Sequence, residues 1–432
     1  MIDPNRSKIA FALLGAVQLT LIAAITVITV ALPAMRRDLH LDDAGTVLVT
    51  SAYGVAFGGL LLPGGRLADS FGRRRIFAVG AAVFGLGSAA AGLAPDAGSM
   101  VVARFVQGAG AALTAPAAMA LAGALFPDPR RRGRAMAVWG VLSSAGATAG
   151  TVLSGVLITW VSWRWALLAP VVVAAVAVAV APGLFPADRP ARGNRIDWPG
   201  AVLATTGLAA LIYGLQRSGR VVLGGVLLIV LFCLAERRAT VPLTPLPFVA
   251  RRLLPLAAVT LCAAAMATAF FTLSLHLQQV RGLSPLRTSA VFLLSTPSLL
   301  AAGPLTGRLI ARLGERRVLA AGPAVAATGL GLLSLLDAPY AGLLVFPLGA
   351  GMTFSAALLT ALHGVEDDRT GLAGGLVNTA MEIGPPLGLA VLIPVAAAHS
   401  PDASSGYAFA LRVAAAALVA IAVCAALPRR TR

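Results

Sequence analysis

Of seventeen carboxylates in the chain, sixteen lie between long apolar stretches or at their ends. The seventeenth, Glu382, sits about eleven residues into the apolar run 371–397. At ~1.5 Å of helical rise per residue, that depth is near the middle of a bilayer. An ionised carboxylate is costly there, and such residues tend to be functional. A carboxyl so placed can take up a proton on one side of a membrane and release it on the other. It can also hold a cationic substrate; the alternative is a glutamate bonded within a helical bundle. Arg104 is the second charge inside an apolar run, at 99–125, and calls for backbone carbonyls, Gln107 or water as partners. Just beyond Glu382 comes Gly384-Pro385-Pro386-Leu387-Gly388. Proline removes a helical hydrogen bond, so Pro385 and Pro386 predict a kink beside the acid. A gate would use one, although prolines are common in membrane helices.

Other chemistry is sparse. The three cysteines all lie in apolar runs and give no disulfide framework. The four histidines are scattered, with no pair at metal-ligand spacing. No phosphate-binding loop, nucleophile elbow or zinc-helix pattern occurs. An enzyme is poorly supported, and neither metal nor cofactor is expected.

The elements that must position Glu382 and Arg104 follow from composition. Only 12% of the 432 residues are charged and 58% are hydrophobic. A soluble domain carries roughly 25% charged residues, so a water-soluble monomer is excluded. The net charge of +17 would suit a nucleic-acid binder, but the arginines form short clusters between apolar runs rather than one wetted face. The partner is therefore a lipid bilayer and no nucleic acid. Fourteen runs are long enough to span it, near 9–33, 46–65, 76–94, 99–125, 135–158, 164–185, 199–215, 220–236, 254–278, 287–307, 317–336, 339–362, 371–397 and 406–427. The seventh and eighth are the shortest. Alternate connections and the two tails hold 25 basic residues against 7 on the other side. By the positive-inside rule both termini are cytoplasmic, in a multi-pass protein of the plasma (inner) membrane.

Two connections on the basic side repeat a pattern. Gly65-Arg66-Leu67-Ala68-Asp69-Ser70-Phe71-Gly72-Arg73-Arg74-Arg75 follows the second run, and Gly307 to Arg317 follows the tenth. Both read G-R-L-x-x-x-(F/L)-G-x-R-R. A step of eight runs is met by two six-helix halves, 1–186 and 241–432, with two helices inserted over 187–240. Parallel halves about a central cavity are the pattern of a secondary transporter.

With these residues in view, the chain resembles the major facilitator superfamily, and within it the fourteen-helix drug:proton antiporter branch. Residues 65–75 match its basic loop motif, and Arg104 to Ala111 its R-x-x-Q-G-x-G stretch. Ala31-Leu32-Pro33, Ser162 to Trp165 and Leu277 to Gly282 match further landmarks. The departures are specific. Ala24 stands where the branch has a membrane aspartate and Thr29 where it has an asparagine. The antiporter motif G-P-x-x-G-G reads Gly150-Thr151-Val152-Leu153-Ser154-Gly155.

The resemblance implies an all-α transporter of the major facilitator fold with fourteen spans, working as a monomer. It implies proton-coupled export of hydrophobic or cationic small molecules by alternating access. Protons and a small-molecule substrate are then its partners. Glu382 and Arg104 are the proton-coupling candidates, although a scaffold role for Arg104 stays open. Asp69, with Arg73, forms a latch that closes the cytoplasmic side, and Gly65 and Gly72 allow its tight turn. An incidental acid in a topogenic loop is the alternative for Asp69. Gly150 and Pro385 are bending points, and small-x-x-x-small packing is their plainer role. Tyr53, Gln107, Phe271, Gln278 and Asn378 are the substrate-binding candidates. An uncoupled facilitator of the same fold is the second expectation, and a transport-inactive membrane sensor or scaffold the third.

Overall fold

The computed structural model describes residues 4–126, 150–185, 197–239, 242–336, 338–365, 370–400 and 402–427, with positions 128, 135, 138 and 146 between the first two stretches. The basic runs at Arg130–Arg134 and Arg189–Arg195, Arg369, and the first part of the expected run 135–158 lie outside the described residues.

The described elements are helical. In the first part of the chain they are α1 (Pro4–Asp38), α2 (Asp43–Phe71), α3 (Arg73–Gly92), α4 (Ala97–Ala124), α5 (Gly150–Trp160), α6 (Trp163–Leu184), α7 (Trp198–Arg217) and α8 (Gly219–Arg238). After a short turn at Leu246–Ala250 come α9 (Leu253–Leu275), continued by a π-helical turn at His276–Val280, and α10 (Pro285–Leu313). Then follow α11 (Glu315–Leu333), α12 (Tyr340–Leu362), α13 (Thr370–His399) and α14 (Ala403–Ala426). Starts are set by capping side chains. Asp42 accepts from Gly45 N at 2.7 Å, and Asp96 forms a capping box with Ser99. Ser162, Asp197 and Asp402 cap α6, α7 and α14.

Among the described residues, twelve helices are long and apolar enough to cross a membrane, against the expected fourteen. The difference lies in α11 and α5, both within expected runs. α11 opens on Glu315, Arg316 and Arg317, which dilute its 19 residues. α5 is described only from Gly150 onward.

Two local expectations are corrected. The repeated motif is not a loop, because α2 continues through Gly65 and Asp69 to Phe71, and α10 through Gly307 to Leu313. Nothing in either segment breaks a helix until Gly72 (φ 96°) and Gly314 (φ 83°), whose left-handed backbone only glycine adopts readily. Gly65 therefore makes no turn; a Cβ there would meet Pro116 in ordinary contact at 3.7 Å. The second correction concerns the prolines. α13 runs unbroken from Thr370 to His399 through Pro385, Pro386 and Pro394.

The chain divides into two compact units. One comprises Met1–Leu243 with Ser284–Ser289, and the other Thr244–Leu283 with Ala290–Arg432. In the first, α4 packs on α2 and α3, α6 on α1 and α3, and α7 on α2 and α8. Its core holds Leu14, Leu21, Phe57 and Phe84, and the edge-to-face rings of Phe77 and Phe185. In the second, α12 packs on α10 and α11, and α9 and α14 pack on each other and on α13.

Candidate functional site

Arg104 lies in the first unit and is 1% exposed. The glycines around it explain its depth. A Cβ at Gly108 would strike the Tyr53 backbone, and one at Gly87 would sit 2.6 Å from Gln107 Cα. Without side chains there, α4 lies directly against α2 and α3. The guanidinium donates through Nη1 to Gln107 Oε1 at 2.5 Å, and Gln107 Nε2 donates to Ser88 Oγ at 2.5 Å. The Arg104 Cζ stands 4.6 Å from the centroid of the Tyr53 ring, a cation–π contact. The Tyr53 hydroxyl donates to Leu21 O of α1 at 3.2 Å. The ion pairs among the described residues do not include Arg104. Three expected residues, Arg104, Gln107 and Tyr53, thus form one buried cluster. Ser88 joins it unforeseen; a lone hydroxyl in the apolar run 76–94 was the available signal.

At the motif end of the same unit, Arg73 Nη2 reaches Asp69 Oδ1 at 3.4 Å, with both side chains half-exposed. Arg74 donates to Phe185 O at 3.0 Å, and Arg66 donates to Pro242 O. Glu236, near the end of α8, is only 4% exposed and accepts from Leu243 N at 3.1 Å. Its position at a run end concealed that burial. Gly150 and Gly146 set α5 on α1. A Cβ on Gly150 would lie 2.6 Å from Ala23 Cα, and one on Gly146 2.8 Å from Leu19 O. Ser154 Oγ adds a bond to Val27 O at 2.9 Å.

Glu382 lies in the second unit, 8% exposed, with no hydrogen-bond partner for its carboxyl among the described residues. Two residues on, Gly384 would place a Cβ 2.5 Å from Thr260 O, and Gly388 one 2.5 Å from Ala264 O. These glycines draw α13 against α9, and Thr260 Oγ1 donates across the seam to Ala380 O at 3.2 Å. Pro385 and Pro386 lie within the same seam. Having no N–H, they leave the carbonyls of Met381 and Glu382 without the usual donor four residues on. Asn378, one turn before Glu382 and on the same face, is exposed. Phe271 is 3% exposed on α9, and Gln278 donates to Ser274 Oγ at 3.0 Å in the π-helical turn.

His276 in that turn is 2% exposed, with Nδ1 3.2 Å from Ser404 Oγ. The adjacent cap, Asp402, accepts from Ser405 N at 2.8 Å and Ser405 Oγ at 2.7 Å. The Ser405 hydroxyl first, then its amide, hold the Asp402 carboxyl below the usual carboxylate range.

These contacts leave a buried cation held by neutral partners in one unit, and a buried acid on α13 in the other. Such charges suit the movement of protons or charged solutes through a bilayer.

Comparison with known proteins places this geometry. The family model described as Major Facilitator Superfamily matches residues 14–389. The puromycin resistance protein pur8 of Streptomyces alboniger is 38% identical over 412 residues, covering 90% of this chain and 82% of that one. The cephamycin export protein CmcT of Amycolatopsis lactamdurans is 37% identical over 396 residues, covering 86% and 81%. Among solved structures, the in meso crystal structure of the POT family transporter PepTSo aligns with a TM-score of 0.74 at 15% identity, over 99% of this chain and 98% of that one, which shows the shared fold. The chain is a multi-pass membrane transporter and belongs to the major facilitator superfamily.

Proposed function

We propose that this transporter exports hydrophobic or cationic small molecules, antibiotics among them, across the plasma membrane by alternating access driven by inward proton movement. The names of its relatives, a puromycin resistance protein and a cephamycin export protein, support export of antibiotics. The observation that supports proton coupling is the burial of Glu382 within α13, two residues before the first glycine that meets α9. One proton crossing gains ~2.3 kcal/mol per 100 mV, enough to sustain a substrate gradient. Arg104 is the second coupling residue, and Asp69, Arg73, Gly72, Gly150 and Pro385 serve gating. Tyr53, Gln107, Phe271, Gln278 and Asn378 remain the substrate-binding candidates.

We assign the chain to the fourteen-helix drug:proton antiporter branch. Adding α5 and α11 to the twelve spans gives an even count. It also keeps the 25 arginines and lysine on one side against 7 on the other, with both termini cytoplasmic. The halves are then 1–186 and 241–432, with an inserted pair over 187–240, in a monomer. Uncoupled facilitation is the second hypothesis, motivated by Ala24 and Thr151 in place of the branch's aspartate and proline.

Proteoliposomes with an imposed pH gradient and added puromycin or lipophilic cations test the proposal. Substrate-evoked proton movement is expected, and its loss in Glu382→Gln. Full coupling in that variant removes Glu382 from the mechanism. Equilibrative flux without proton movement selects the facilitator.

A further inference from the structure

α11 and α14 face each other with alanines. Facing small residues normally let two membrane helices close on one another. The two helices do pack on each other, and along their seam runs an open groove of about 670 Å³, from Ala320 to Thr328 on α11 and from Ala426 back to Ala415 on α14. Val419 and Val423 along it are 50% and 52% exposed. At ~1.5 Å per residue the two walls are about 12 and 16 Å long. One leaflet of a ~30 Å hydrocarbon core is about 15 Å deep. The groove therefore has the length of a single leaflet, and its lining is almost wholly apolar.

One end of the groove is basic. Arg316 Nε donates to Ala425 O at 3.0 Å, tying the start of α11 to the end of α14 at the mouth. Arg312 and Arg317 are exposed beside it. One nearby acid, Glu315, lies 3.3 Å from His363 Nδ1, and the three arginines outnumber it. An occupant must match both parts: a hydrocarbon chain one leaflet long, and an anion at its head. A second copy of this chain fits poorly, because a twofold contact through the groove would bring two arginine clusters together.

We propose that the α11–α14 groove is a binding site for an anionic phospholipid, with one acyl chain between the helices and the phosphate on Arg316 and Arg317. Basic pockets between membrane helices are suited to such headgroups. Neither Glu382 nor Arg104 lines the groove, and the proposal does not depend on the transport mechanism.

The test is native mass spectrometry of delipidated, detergent-solubilised protein titrated with phosphatidylglycerol or with phosphatidylcholine bearing the same chains. Tighter binding of phosphatidylglycerol is expected. Arg316→Gln and Arg317→Gln should each weaken it about fivefold, with phosphatidylcholine unaffected. Ala324→Phe, which fills the groove from an exposed position, should weaken both lipids; Ala324→Ser, which leaves it open, should weaken neither. Equal binding of the two lipids, or unchanged binding in the arginine variants, overturns the headgroup assignment. Full binding in Ala324→Phe overturns the groove, and a doubled mass that Ala324→Phe abolishes assigns it to a second copy instead.

Discussion

The two units are built to one register and bury different side chains within it. Gly80 abuts Thr114 and Gly322 abuts Thr353; Gly87 abuts Gln107 and Gly329 abuts Phe346; Gly110 abuts Phe84 and Gly349 abuts Ala326. Each pair relates α3–α4 to α11–α12 without a shift. In that register Arg104 corresponds to Leu343, Gln107 to Phe346 and Ser88 to Leu330. The polar cluster of the first unit is thus replaced by fully apolar packing in the second, where Leu343 and Phe346 are 1% and 0% exposed. The α1–α5 seam, with Gly146 and Gly150, relates likewise to the α9–α13 seam, with Gly384 and Gly388. Counting two residues back from the first glycine gives Ser144 in one and Glu382 in the other. The α3–α4 register therefore accommodates either a charged cluster or apolar side chains, and packing alone does not require Arg104.

Four experiments break or sharpen this comparison, beginning with the largest effect. Gly150→Val and Gly384→Val should both destabilise, by about 3 kcal/mol, the upper end for overpacking. Similar losses in reversible unfolding are expected from the shared seam; a loss in only one would end the equivalence. Arg104→Leu makes the first unit resemble the second. Leucine removes a buried charge but leaves Gln107 Oε1 without its donor, so the melting temperature should change little, while transport falls about tenfold, equivalent to ~1.4 kcal/mol in rate. A lower melting temperature would make Arg104 a structural residue. Ser154→Ala and Thr260→Val each remove one bond across their seams and should cost about 0.6 kcal/mol apiece, read from the same unfolding curves.

The smallest effect concerns the helix caps. α6 is capped by Ser162 and α14 by Asp402. Because the folded carboxyl of Asp402 is held below its unfolded value, its contribution is complete above the unfolded pKa. It is lost as pH falls through the folded one. Acid should therefore loosen the start of α14 and spare α6, measurable by hydrogen exchange between about pH 5 and 2. Asp402→Ser should abolish the difference.

Much of this was legible in the chain. Membrane burial forces continuous apolar runs, and arginine clusters punctuate them, so the twelve spans among the described residues lie close to expected runs. Charge clusters misplaced the ends, however. The Gly65–Phe71 stretch is polar enough to look like a loop, yet it holds no helix breaker before Gly72. Arg104 and Glu382 stood out as isolated charges. Their surroundings did not, because Ser88, Thr260 and Glu236 are ordinary polar residues whose importance comes from helices adjacent in space and distant in sequence. The prolines misled in another way. Missing donors are certain from sequence, but α9 and α14 hold α13 continuous across them.

The shelter given to Arg104 also bears on how the protein is made. An arginine at the centre of a helix costs about 2.5–3.5 kcal/mol to insert through the translocon, and Arg104, the eighth residue of α4, bears part of that cost. Tyr53 on α2, whose ring the guanidinium faces, and Ser88 on α3, which holds its partner Gln107, are synthesised before α4, and α9, which packs on α13 at Gly384 and Gly388, is synthesised before α13. Each charged helix can therefore enter the bilayer with its partners already in place. Synthesis in this order spares the membrane an exposed charge, and a circular permutant beginning at α4 should insert poorly for that reason alone.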